Sequence, residues 1–181
     1  MTAERTKPGG RILDALLKVV DGVLYIGAAV GALSALLLAV MLIVEVITTS
    51  FFAYSQPYAV EYSGYLLLAV LFAGSGWTLS RGGHIRVDVI ASLAGPAVVR
   101  LLDLLASAFA LGVVGFAATA LIRQAIRTAE LGSRSYFPSE TPLMYPQALL
   151  AAGMTLLAVA FAARIVRIVT GRAPQATPTG G

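Results

Sequence analysis

Cysteine is absent from the chain and histidine occurs once, as His84. Without thiols there are no disulfides, no thiolate metal sites and no cysteine nucleophiles. A single imidazole cannot form a bis-histidine haem site, and with Asp88 as its only nearby carboxylate His84 lacks the ligands a metal would need. No cofactor or metal is therefore expected. Charge is scarce as well: charged residues make up 12% of 181, against 58% hydrophobic residues, and the mean hydropathy is +0.85. A soluble domain is far more polar than this.

Enzymatic apparatus is equally thin. Ser80 lies close to His84 in sequence, but neither an oxyanion-hole glycine motif nor a nucleophile elbow accompanies it. "GSGW" at 74–77 falls inside an apolar run and is no phosphate loop. The residues give no reason to expect an enzyme.

Long apolar runs are what the chain has in place of these features. Residues 23–44, 62–79, 104–122 and 143–163 are free of charged side chains. Each approaches the roughly 20 residues a helix needs to cross the hydrocarbon core, where backbone N–H and C=O groups must pair within the segment. The fold expected is an all-α membrane protein of four transmembrane helices, one domain over residues 1–170 with a disordered tail at 171–181. The first run follows a mostly polar stretch and lacks a convincing cleavage site, so it reads as a span and not as a secretory signal.

Basic residues set the expected orientation. Arg5, Lys7, Arg11 and Lys18 precede span 1; Arg81, Arg86 and Arg100 lie between spans 2 and 3; Arg164, Arg167 and Arg172 follow span 4. The intervening segments hold only Arg123, Arg127 and Arg134. By the positive-inside rule both termini face the cytoplasm. The net charge of +4 follows from this bias and from anionic lipid, and calls for no nucleic acid.

Short interfacial helices are expected at two places. "RILDALLKVVDG" alternates apolar and charged residues at helical spacing and should lie on the membrane surface ahead of span 1. Residues 85–93 leave two forms open: Ile85, Val87 and Val89 alternate with polar residues as in a strand, while the place beside a bilayer favours a second such helix. Pro96 after Gly95 should open the third helix, with Arg100 and Asp103 as an exposed pair in its first turns. Gly27 and Gly31 in span 1, and Gly112 and Gly115 in span 3, are candidate sites of close helix packing.

No ionisable residue lies centrally in a span, whereas a solute- or ion-coupled carrier ordinarily has one. Glu45 and Glu61 stand only at the external ends of spans 1 and 2. A self-contained small transporter or efflux protein, the rival reading, would have to use Glu45 to bind its substrate. The distribution of charge favours an accessory subunit.

One segment is more specific. Arg81, Gly83, His84, Ile85, Arg86, Val87 and Asp88 follow a second span that Glu61 opens and that contains Phe72 and Gly74; Pro142, Pro146 and Gly153 mark the entry to the fourth. In these residues the chain resembles the small, DctQ-type membrane subunit of tripartite ATP-independent periplasmic (TRAP) transporters. It departs from that pattern in having no arginine soon after span 1, where it reads "EVITTSFF", and in having Val60-Glu61 where paired acids are common.

The resemblance implies a bacterial inner-membrane scaffold beside a large transport subunit, in ion-gradient-driven uptake of an organic acid brought by a periplasmic binding protein. It further implies that Arg81, His84, Arg86 and Asp88 form a cytoplasmic seam with the large subunit or an anchor to lipid, and that Glu61 and Glu45 face an external partner.

Overall fold

The computed structural model describes residues 8–81 and 95–172. His84, Arg86, Asp88 and the expected segment at 85–93 lie outside the described residues, as do residues 173–181 of the expected tail. Four helices account for the described chain: α1 (Pro8–Phe52), α2 (Ala59–Ser80), α3 (Pro96–Glu130) and α4 (Met144–Val169). All four are long and apolar enough to cross a membrane.

Two helices overrun the apolar runs that seeded them. α1 has 45 residues, about 67 Å at 1.5 Å per residue, more than twice the roughly 30 Å of hydrocarbon. Residues 11–22, expected as a separate surface helix, are instead the first turns of this unbroken helix. No proline interrupts the passage from the amphipathic stretch to the apolar one, and Asp21 finds a partner in Arg167 on α4 and Asp14 in Arg172 just past its end. α3, with 35 residues, similarly runs past Ile122 to Glu130.

The helix ends follow from local chemistry. Pro96 stands in the first turn of α3 behind an extended Gly95, where its missing N–H costs nothing. α3 and α4 close in the same way. Gly132 (φ 60°) and Gly171 (φ 70°) adopt left-handed backbone, while Ser133 N donates to Thr128 O and Arg172 N to Arg167 O. These are the long bonds of a Schellman turn, which satisfies carbonyls the helix leaves open. α1 turns through Ala53 at φ 50°, a conformation that costs a residue with a Cβ about 1 kcal/mol or more.

α4 is the hub. It packs against α1, α2 and α3, and α2 packs also against α1, while α3 closely approaches no described helix but α4. The result is an open array with α3 at one margin. On α1 a single stripe faces inward: Leu17, Leu24, Gly27, Gly31 and Ser34 are buried, and Leu38, Met41, Glu45 and Thr48 continue it half-buried.

Small residues bring the backbones together along this stripe. A Cβ on Gly27 would fall 2.7 Å from Ala73 O, and one on Gly31 would meet Gly74 N at 3.4 Å. Gly76 lies under Leu24, and Gly153 against Phe72, at 2.7 Å each by the same measure. Leu24, Leu79 and Ala160 form the buried centre, with Val20, Trp77, Leu156, Leu157 and Phe161 around it. Lipid offers no hydrophobic drive between helices, so this close packing is what holds them. Gly112 and Gly115 take no part: a Cβ on either would meet nothing within 4 Å. Of the four glycines expected at close helix packing, Gly27 and Gly31 thus meet a described neighbour and Gly112 and Gly115 do not.

Candidate functional site

Polar side chains gather at the two ends of the array. At one end lie the α1–α2 turn, the start of α2 and the α3–α4 connection. Glu45 holds the turn: Ser55 Oγ donates to its Oε1 at 2.7 Å and Gln56 N to its Oε2 at 2.9 Å. Both oxygens are thus spent on the connection that reverses the chain.

Glu61 is buried at 4% exposure. Tyr65 Oη donates to its Oε1 at 2.5 Å, and Ser139 Oγ donates to its Oε2. Ser139 belongs to a small hairpin, bridged between Arg134 and Pro142, in which Ser135 N donates to Thr141 O and Leu143 N to Ser133 O. Thr141 Oγ1 lies 3.2 Å from Tyr62 Oη. The carboxylate therefore clips the α3–α4 hairpin onto α2. Glu61, expected to face an external partner, is enclosed between α2 and this hairpin in the chain by itself.

Around this clasp stands an aromatic rim. Tyr58, Tyr62 and Tyr65 stack edge to face along α2, with centroids 6.3 and 5.8 Å apart. Tyr136 at the hairpin tip is fully exposed.

Ion pairs organise the other end, and α4 with the turn that follows it supplies their cations. Arg164 makes a two-pronged contact with Asp103 on α3, Nη2 standing 2.7 Å from Oδ1 and 2.9 Å from Oδ2. Arg167 reaches Asp21 on α1 at 2.6 Å, and Arg172 reaches Asp14 at 2.9 Å. Arg100 donates to the carbonyls of Ile168 and Val169 at 2.6 and 3.1 Å, where a cation complements the C-terminal end of the α4 dipole. Arg100 and Asp103, expected as an exposed pair in the first turns of α3, each also engage α4, Arg100 remaining exposed and Asp103 half-buried. Arg81 stacks 5.3 Å above the ring of the half-buried Trp77, a cation–π contact.

Sequence reasoning missed Asp14, Asp21, Arg164 and Arg167 as partners. A signal was present: Asp14, Leu17, Asp21 and Leu24 follow the three-and-four spacing of one helix face, and Arg164 and Arg167 are three apart. Tyr65 and Ser139 gave no such signal, since nothing in the sequence shows that a hairpin folds back 78 residues later. Among the described residues no group of three or more His, Asp or Glu side chains is placed to hold a metal.

The family model described as "Tripartite ATP-independent periplasmic transporters, DctQ component" matches residues 36–171, more than half of the chain. The chain belongs to the DctQ family. Neither a curated relative nor a solved structure matches it.

Membership makes the protein a DctQ small subunit of a TRAP transporter, a multi-pass membrane component of a secondary transporter that works with a binding protein. The matched stretch contains Glu45, Glu61 and the Arg164–Asp103 pair. Asp14, Asp21, Gly27 and Gly31 precede it. The α1 half of the other ion-paired end thus lies ahead of the part this DctQ chain shares with the family model.

Proposed function

We propose that this DctQ subunit is a fixed membrane scaffold for the transporter's large subunit, with both termini in the cytoplasm, and that it carries neither solute nor coupling ion itself. One observation carries the reading. Among the described residues, the Asp, Glu, Lys and Arg side chains of all four helices lie towards the two ends of the array, and the stretches between them hold no charge, with hydroxyls such as those of Ser34 and Thr155 donating to carbonyls of their own helix. A path for an organic acid and a cation through α1–α4 would need charged groups at that depth.

In this reading the ion-paired end is cytoplasmic, and the loop carrying Arg81, His84, Arg86 and Asp88 anchors the subunit there or joins it to the large one. The Glu61 end is periplasmic. Its hairpin and aromatic rim receive the binding protein, and Glu45 and Glu61 act by holding those loops in shape. The cargo is an organic acid and the drive an ion gradient. Reconstitution into liposomes tests the scaffold. Uptake should need the large subunit and the binding protein together with this chain, and gradient-driven uptake by this chain alone would overturn it.

A further inference from the structure

α3 is held from one side. Its buried residues Ser107, Ala118 and Thr128, with half-buried Leu111, Val114, Leu121 and Ala125 between them, repeat every three or four positions and form the inner face. The opposite face has no described neighbour. It presents Phe109 and Phe116, exposed at 77% and 76%, with the exposed Gly112 between them and Thr119, Arg123 and Arg127 continuing the stripe.

Two features of that stripe find no counterpart among the described residues. Gly112 makes a notch that no described residue fills, and a glycine weakens a helix interior relative to alanine. Acyl chains gain nothing from the notch; a second helix gains close approach. Arg123 and Arg127 stand one turn apart just past the apolar run, where like charges repel; Arg127 complements the C-terminal end of the α3 dipole, and neither forms an ion pair with a described residue. On the proposed orientation they also lie on the side that the positive-inside bias disfavours.

We propose that this stripe is the docking face for one transmembrane helix of the large subunit, which seats a bulky side chain over Gly112 between the two phenyl rings and sets carboxylates near its periplasmic end against Arg123 and Arg127. The proposal rests on the scaffold reading and its orientation. A second copy of this chain is the wrong occupant on charge. Copies inserted in the same sense would meet α3 to α3 in parallel, bringing two Arg123–Arg127 pairs together at one height.

Site-directed photocrosslinking tests it, and the absence of native cysteine makes this direct. In the full three-component system, Phe116→Cys labelled with a benzophenone maleimide should give an adduct with the large subunit on irradiation. An adduct of two copies of this chain, or lipid adducts alone, would overturn the proposal. Gly112→Leu should leave the unfolding midpoint of the isolated chain unchanged, because the added side chain enters open space, yet lower the recovery of co-purified large subunit about tenfold.

If that variant alone melts early, the double charge reversal Arg123→Glu, Arg127→Glu at exposed positions should show the same loss. Should the wild-type chain itself fail to retain the large subunit, the scaffold reading falls. Retention by wild type, Gly112→Leu and the double reversal alike, with no Phe116→Cys adduct, overturns the docking face only.

Discussion

Arg167 near the end of α4 meets Asp21 on α1 at 2.6 Å, and Asp21 lies on the same face of α1 as Leu24, Gly27 and Gly31. One helix face thus carries both the ion pair and the close packing, so the pair fixes the register in which α1 slides against α4. Asp103 does the corresponding work for α3 through Arg164.

The two pairs should differ in weight. The two arginines are alike, Arg167 at 13% and Arg164 at 17% exposed, but Asp21 is 49% exposed and takes one contact, whereas Asp103 is 26% exposed and takes two prongs. Removing either carboxylate leaves an enclosed arginine unpaired; Asp103 takes two hydrogen bonds with it, Asp21 a single one from a side half open to water. Asp103→Asn should therefore lower the thermal midpoint in detergent further than Asp21→Asn. Equal shifts would show that the stranded arginine, and not the lost contacts, sets the cost.

Packing gives a second contrast. Gly27→Ala would place a Cβ 2.7 Å from the backbone oxygen of Ala73, which cannot rotate away, whereas Gly64→Ala meets nothing within 4 Å. Overpacking of this kind costs about 1–3 kcal/mol. Gly27→Ala should lose stability in a detergent melt and Gly64→Ala should not. A neutral Gly27→Ala would mean that α1 and α2 separate without cost.

These contrasts mark how much the sequence discloses. The four helices, the start of α3 at Pro96 and the small residues of span 1 are legible, since charge-free length, proline and glycine act locally. The length of α1 and α3 is not legible from hydropathy, because a helix continues through polar residues as long as nothing breaks it and its charges find partners. Glu61 shows a different limit. A carboxylate at a helix start reads as exposed, and only the return of Ser139 and Thr141 from a distant hairpin encloses it.

The clasp makes the third prediction. With Glu61→Ala, Tyr65 and Ser139 lose their acceptor and the hairpin keeps only the Thr141–Tyr62 contact among its described hydrogen bonds to α2. Arg134, whose side chain is 63% exposed in that hairpin, is a tryptic site that needs local opening to be cut. Limited proteolysis should cleave after Arg134 faster in Glu61→Ala than in wild type. Glu61→Gln, which keeps an acceptor oxygen, should fall between. Unchanged cleavage in both variants would show that the hairpin holds itself through its own bridge.

Orientation gives the last prediction, and it bears on every functional statement made from the two ends. Tyr136 at the hairpin tip is fully exposed, and Thr170 lies exposed at the end of α4, on the opposite side of the array. The chain has no cysteine, so a single introduced thiol reports one position. If the basic, ion-paired end is cytoplasmic as the charge bias requires, a membrane-impermeant maleimide should label Tyr136→Cys in spheroplasts. Thr170→Cys should react only after the membrane is opened. The reverse pattern would turn the subunit over, placing Arg123 and Arg127 inside and the hairpin out of reach of any periplasmic partner. Labelling of both in intact spheroplasts would mean that the four helices do not all span.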